Sequence, residues 1–510
     1  MKRFWPLLTS LFLILLLVFY LSFRVFEFFK PFLPFTSYLL GIDHSTTYTI
    51  LLGNDAEMRA NGGFAGSYAK FKISSTRLDS LSSRVFEFFI GNPIPNPLVE
   101  LDFQDIYVPN GQLLGLFVAP PEPIQQAFGH GTWELANADW EPDFPSAAKS
   151  LRWFLEKGKE TNPDILAILN LTTIKKILSV VGSFPVPEYK ATLTPDNLYL
   201  FLQGKAELNF FPGSTQKKDA LTAVGQALVK KIKSLPLLQK FKIAQILYTD
   251  LQNQNIVINS LNPDFQNLLV DHNFAGVLQP EAMDTYSMIE TNLGANKANA
   301  YVTRHTTHTI TFTSQSPLSK GETPPQAERG ISPNPTSENR ELRSNYIHHS
   351  VTIQFQNASL EANPNPPFHY GGDYIAYLRL YLPENAQNIT LTRTPEGKPP
   401  LDPKTSPIIS TTPSIVIPGS DPESIPKCEI LNVKCKISYG LTELGFWHTT
   451  RAGGESTISL SYDLPMVDSS SYTLAVLKQH SLTTSPQTIL IGQQSFTNSL
   501  NQDFFYPSKR

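Results

Sequence analysis

The chain has 510 residues, 41% of them apolar and 17% charged, and a formal net charge of −3. That length accommodates two or three domains. The near-neutral balance leaves no electrostatic case for nucleic acid, or for an anionic membrane surface, as the partner.

Residues 4–23 carry no charge and are dominated by Leu, Phe, Ile and Val. About twenty helical residues span roughly 30 Å, the thickness of a bilayer core, so the stretch reads as one N-terminal transmembrane helix. Lys2 and Arg3 precede it, which puts a short tip (with the helix, residues 1–30) in the cytoplasm. A cleaved signal peptide is the rival reading. The bulky run Ser22-Phe23-Arg24-Val25-Phe26 offers no small-x-small cleavage site, so an uncleaved anchor is preferred. The expected location is the cell membrane, single-pass, with the bulk of the chain extracytoplasmic.

From 44 to 280 the pattern alternates strand and helix, which implies an α/β domain, a sheet covered by helices. A buried strand, Thr49-Ile50-Leu51-Leu52, runs into a polar loop holding Asn54, Asp55, Glu57, Arg59 and Asn61. Gly62, Gly63 and Gly66 follow, then a second strand. Polar groups and glycines at the end of an apolar strand are the composition of a ligand site in an α/β domain. A variable stretch covers 91–125. Asp143 and Pro145 then signal a helix start. Residues 164–171 form a continuous apolar run and read as a buried strand. Residues 172–181 read as a helix closed by Gly182, residues 194–196 cap a short helix, 219–235 and 238–248 are helical, and 255–259 is a short strand.

From 285 to 495 short alternating strands are separated by Pro, Ser and Gly. They fall at 301–312, 350–355, 373–382, 389–393, 436–439, 445–448, 456–462, 472–478 and 487–491, which predicts an all-β sandwich of immunoglobulin-like size. Residues 314–343 and 394–426 are too polar or proline-rich to pack and read as mobile loops, and 496–510 reads as a tail. The two cysteines, Cys428 and Cys435, oppose each other if a hairpin turns at Leu431-Asn432, pairing Ile430 with Val433 and Glu429 with Lys434. The alternatives are a disulfide in an exported domain and two reduced core thiols.

The strings LLGNDAEMRANGGFAGSYAKF, NADWEPDFPSAAKS, NPDILAILNLTTIKKILSVVGSFPV and KKDALTAVGQALVKKI resemble a bacterial membrane-anchored family known as domain of unknown function 4012. GANKANAYVTRH, YLRLYLP and GGESTISLSYDLP look like that family's C-terminal β region. The resemblance covers most of 45–465 and implies an envelope protein without an established activity. The chain departs from it at Leu52-Gly53-Asn54-Asp55, where members are richer in Gln and Asn. A more distant likeness joins the strand ending LLG-x-D, the arginine, the glycine-rich turn and DILAILNLTTIKKILSVVGSFPV to the LytR–CpsA–Psr phosphotransferases. Those enzymes move glycans from polyprenyl pyrophosphate onto cell-wall glycan. By position, Asp55 matches their carboxylate after the first strand and Arg59 a loop arginine. They carry further arginines in a later segment, where this chain offers Lys217 and Lys218.

The chemistry sets two readings side by side. A pyrophosphate site needs bidentate Arg donors, backbone N–H groups and often a carboxylate-held metal. Arg59, the Gly62-Gly63 backbone and Asp55 supply one of each, with Asn54, Glu57 and Asp139 as further ligand-binding groups. Magnesium enters only under that phosphotransferase reading. In the structural alternative, Arg59 pairs with Glu57 or Asp139 inside the fold and the glycines serve a tight turn. Asp139 and Asp143 invite a paired-carboxylate reading, but Pro142 and Pro145 break the helical spacing and favour Asp143 as a cap. His305 and His308, like His348 and His349, are spaced to point to opposite strand faces, and no Cys/His cluster has zinc spacing. Tyr68, Phe71, Trp133 and Trp140 suit either a sugar-binding groove or a core. The expected function is therefore a membrane-anchored envelope protein that binds a glycan, a lipid-linked precursor or a protein partner. The alternative is a metal-assisted phosphotransferase.

Overall fold

The computed structural model describes residues 30–42, 44–73, 98–113, 115–129, 131–207, 216–313, 346–359, 371–395, 397, 430, 432–465 and 471–508. The expected transmembrane stretch at 4–23 and nearly all of the two expected mobile loops lie outside those residues. Among the described residues no helix is long and apolar enough to cross a membrane. The protein is a mixed α/β structure with several sheets, largely β in its C-terminal part.

The first part is built on a five-stranded sheet of order β3-β2-β1-β4-β7. Its strands are β1 (Thr46–Arg59), β2 (Gly62–Ile73), β3 (Leu98–Asp105), β4 (Ile165–Asn170) and β7 (Ile256–Ser260). β1 and β4 run parallel, with Leu52 paired to Leu169, and the other neighbours are antiparallel. Strands β5 (Phe184–Val186) and β6 (Ala191–Leu193) form a separate pair. Helix α1 (Glu122–Phe128) begins at the end of the stretch read as variable, and α2 (Phe144–Lys157) buries Phe144, Ala147, Leu151 and Phe154 against Leu51, Tyr68 and Leu166. Asp143 caps α2, accepting from Ser146 N–H at 3.0 Å. Helices α3 (Leu171–Val181), α4 (Leu198–Glu207), α5 (Gln216–Lys233) and α6 (Leu237–Gln252) share a second apolar cluster, and α7 (Pro263–Asp271) follows β7. A 3-10 turn, Lys30–Phe35, and the short helix Thr36–Leu39 seat Phe32, Phe35 and Tyr38 on Phe265 and Phe274.

The second part consists of two six-stranded sheets. One holds β9 (Val302–Thr313), β10 (Tyr346–Asn357), β12 (Gln387–Thr394), β15 (Glu455–Pro465), β17 (Gln487–Ile491) and β18 (Gln494–Asn498). The other holds β8 (Asp284–Asn292), β11 (Tyr374–Pro383), β13 (Lys434–Ser438), β14 (Leu441–Thr450), β16 (Leu474–Leu477) and β19 (Phe504–Tyr506). Alternation places Ile347, Val351, Ile353 and Phe355 of β10 inside, and these meet Tyr374, Leu378 and Leu380 of β11 in one core. That core, shared by both sheets, accounts for the period-2 pattern of the sequence.

Four elements depart from expectation. β8 is buried along its whole length although its sequence, DTYSMIETN, is polar. One face joins the shared core through Tyr286 and Met288, while Ile289 on the other meets Ala60 of the first part. Strand-pattern reading misses such a strand because it is covered on both faces and its Asp284, Ser287 and Glu290 side chains meet partners from distant parts of the chain. The expected tail contributes β19, which pairs with β16, and β18 lies just before it. The variable stretch contains β3. Finally, the loop expected after Leu52 is strand: β1 continues to Arg59 and turns through Ala60-Asn61 into β2.

Candidate functional site

Two irregularities in the β1–β2 ladder, between Leu52 and Gly53 and between Asn54 and Met58, let the strand keep pairing while carrying Asn54, Asp55, Glu57 and Arg59. The projecting end of this hairpin packs against β8 and the segment after β16. Met58 N–H donates to Asn299 Oδ1 at 3.1 Å, and Gln479 Nε2 donates to the Arg59 carbonyl at 2.9 Å and the Glu290 carbonyl at 2.8 Å. The sequence motif therefore sits at the junction of the two parts.

Arg59 is 3% exposed. Its guanidinium donates to Glu57 at 3.0 Å, to the Asn292 carbonyl at 2.6 Å and to Asn137 at 3.3 Å, and it lies over the Phe64 ring. Glu57 is shared with Lys297 at 2.9 Å. The pairing of Arg59 with Glu57 is thus present, and the one with Asp139 is replaced by a different contact. Asn61 donates to Asp139 Oδ1 at 2.6 Å and to the Glu141 carbonyl at 2.5 Å, and its Oδ1 meets His480 Nδ1 at 2.8 Å. Burial pushes the Asp139 carboxyl up to about 6, against the opposing pull of the Asn61 hydrogen bonds. The same burial holds His480 down at about 3, so it is neutral.

Asp55 faces elsewhere. It accepts from Thr172 N–H at 3.2 Å and from the Thr172 hydroxyl, at the first turn of α3. The α3 N-cap residue, Asn170, makes no capping bond of its own, because its side chain is turned to Gly63 N–H (2.7 Å) and the Asn255 carbonyl (3.3 Å). Asp55 supplies the missing acceptor and a favourable charge at that terminus. Asn54 spans from Ala56 N–H to the Tyr199 hydroxyl.

The expected convergence of Asp55 and Arg59 on one groove is not found: one serves a helix start and the other a buried ion pair. Among the described residues no three His, Cys, Asp or Glu side chains group so as to hold a metal ion, Asp55 included. Gly62 and Gly63 are not at positive φ. Their role is close approach rather than a strained turn, since a Cβ at Gly63 would overlap the Asn54 carbonyl, and one at Gly62 would lie 3.0 Å from Asn170 and Ile168. Lys217 pairs with Asp105 at 3.1 Å and also donates to the Gly66 carbonyl, and Lys218 pairs with Asp102 at 3.5 Å, both beside β3. Tyr68, Trp133 and Trp140 are core, and Phe71 stacks on Tyr48 at 4.7 Å.

Two groups were not legible in the sequence. The segment Lys478-Gln479-His480-Ser481 is wholly buried in the junction. Four polar residues directly after an apolar strand are the signal that could have found it. His308 and His349, on adjacent strands β9 and β10, meet at 3.1 Å beside Asp284, to which Tyr472 donates at 2.5 Å. Burial raises Asp284 to about 7 and lowers His308 to about 3. The opposite-face reading holds at both histidine pairs: His348 reaches outward to Asp463 at 2.7 Å while His349 is inside. Cys435 is disulfide-bonded, and Ile430 bridges Val433 around Asn432, whose φ is 58°. Cys428, the one other cysteine, lies outside the described residues.

Residues 43–206, about a third of the chain, match the model of the family described as protein of unknown function DUF4012. No curated protein matches. Solved structures match at low similarity. One from Legionella pneumophila is 6% identical over 40% of this chain and 54% of that one, with a TM-score of 0.21, so this chain spans about half its length. The Lin1025 protein of Listeria innocua is 13% identical over 48% and 86%, TM-score 0.23. TagV of B. subtilis is 12% identical over 46% and 81%, TM-score 0.25.

Proposed function

We propose that this is a membrane-anchored, extracytoplasmic cell-envelope protein that binds a ligand rather than transferring one, with an envelope glycan as the ligand class. The observation that carries this reading is the commitment of the motif side chains to the protein itself. A pyrophosphate clamp needs an exposed guanidinium, and Arg59 is enclosed by Glu57, Asn137 and Asn292. The bonded state of Cys435 supports an oxidising compartment, and the apolar run at 4–23 supports an anchor.

The glycan preference rests on a cleft of about 550 Å³ at one end of the second part, lined by Phe312, Tyr472, Tyr506, Ser471 and Gln494. Ring faces beside amide and hydroxyl groups are the chemistry that holds a sugar. The test is co-sedimentation of the full chain with purified envelope glycan. Binding that falls at least tenfold in Tyr506→Ala, with the melting temperature kept, is expected. Binding that is absent in the wild type, or unchanged in the variant, would overturn the assignment to this cleft.

A further inference from the structure

Lys478 lies in the junction, 3% exposed, on the segment following β16. Its Nζ donates to Asn255 Oδ1 at 3.1 Å and to its neighbour's carbonyl, that of Gln479, at 3.1 Å. Asn255 precedes β7 in the first part, 223 residues away in sequence. The Asn255 Nδ2 donates to Asp250 Oδ1 at 3.1 Å, and the Asn255 backbone N–H donates to the Asp250 carbonyl at 2.7 Å. Asp250 is itself held by Thr173 Oγ1 and by Lys176 Nζ, each at 2.6 Å. The Asn255 carbonyl accepts from Asn170 and from Ser481. A buried amine, a carboxamide and a carboxylate are therefore lined up, each fixed by further bonds.

We propose that Lys478 and Asn255 form an isopeptide bond that covalently joins the two parts of the protein, with Asp250 moving the proton. Lys478 Nζ attacks Asn255 Cγ and a C–N bond forms. The Asp250 carboxylate takes the proton shed by the attacking nitrogen and passes it to Nδ2. The Cγ–Nδ2 bond breaks and ammonia leaves. One amine and one carboxamide become one secondary amide and one ammonia, so no oxidant, metal or cofactor is required. Two conditions for this chemistry are met independently of each other. The enforced approach replaces the entropy a bimolecular attack would lose. Burial brings Lys478 down to about 7, so a neutral, nucleophilic amine is present at neutral pH. Lys176 acts in the same direction as burial, Asp503 and Asp250 oppose it, and His480, two residues along the same segment, is neutral.

The test is mass spectrometry of the full chain, purified in detergent, reduced and denatured. The expected intact mass is about 17 Da below that of the sequence, one ammonia having left for the amine nucleophile. Trypsin is expected to leave Lys478 uncut and to yield a branched peptide carrying both Lys478 and Asn255. Asp250→Asn, with its fold verified by circular dichroism, is expected to return to full mass. A wild type at full mass would overturn the proposal. So would a loss of that size carried by one linear peptide, as a succinimide would be, or a branched peptide that survives in Asp250→Asn.

Discussion

Removing the Arg59 side chain separates a structural junction from a catalytic loop. Arg59→Ala deletes four side-chain hydrogen bonds, one of them the buried pair with Glu57 and two of them to the Met58 and Asn292 carbonyls. Breaking a buried ion pair from one side costs about 3–5 kcal/mol. Lys297 remains on Glu57 at 2.9 Å and keeps that charge paired, which favours the lower end, about 3 kcal/mol. Asp55→Ala loses only the two bonds to Thr172 at the start of α3 and should cost about 1–2 kcal/mol. Urea denaturation followed by tryptophan fluorescence measures both, since Trp140 sits in the same junction, its carbonyl bonded to Arg379 at 2.7 Å. Arg59→Lys should recover less than half of the loss, because an ammonium cannot reproduce the planar fork. An Arg59→Ala midpoint within about 0.5 kcal/mol of wild type, the scatter of a neutral surface substitution, would refute the reasoning. So would an Asp55→Ala cost exceeding that of Arg59→Ala.

Three further outcomes follow from the same contacts. Gly63→Ala should destabilise by at least about 2 kcal/mol, because the new methyl meets the Asn54 backbone, while Gly62→Ala should cost less, its neighbours being side-chain atoms; differential scanning calorimetry ranks the pair. Asp143→Ala should cost about 2–3 kcal/mol, more than an ordinary cap, because Asp143 also accepts from the buried Leu278 N–H at 3.1 Å; far-UV circular dichroism melts measure it. Stability should also depend on pH in opposite senses for two kinds of buried group. Asp284 is raised from 3.8 to about 7, so its contribution is present below about pH 4 and lost as pH rises through 7. His308 and His448, lowered from 6.5 to about 3, contribute stability present above 6.5 and lost as pH falls towards 3. Asp284→Asn should therefore gain stability relative to wild type between pH 4 and pH 7, and a constant difference across that window in urea titrations would contradict the assignment.

How much of this was readable in the chain depends on where each residue's partners come from. Helix α2 was legible because Asp143, Pro145 and the spacing of Ala147, Leu151 and Phe154 are all local signals. Strands β10 and β15 were legible because one face is core and the other solvent, which writes a period of two into the sequence. β8 was not, since its Glu290 is buried beside Arg304 at 2.7 Å and Tyr374 at 2.5 Å, partners supplied by two other strands. The motif at 54–63 stands out in the sequence by its polar and glycine-rich composition. The sequence could not show that the ligand for these polar groups is the rest of the same chain: Asn292, Gln479 and His480 lie more than two hundred residues away. A strand-end cluster that grips a ligand and one that grips a second sheet need the same donors and acceptors.

The central proposal is that the glycine-rich hairpin serves to hold the two parts together rather than to transfer a group. Its most direct test is to incubate the full chain with a polyprenyl-pyrophosphate-linked glycan, an acceptor glycan and magnesium, and to measure released polyprenyl phosphate. The account predicts no release above the protein-free control, for wild type and for Asp55→Ala alike. Release by wild type that disappears in a folded Asp55→Ala would contradict it.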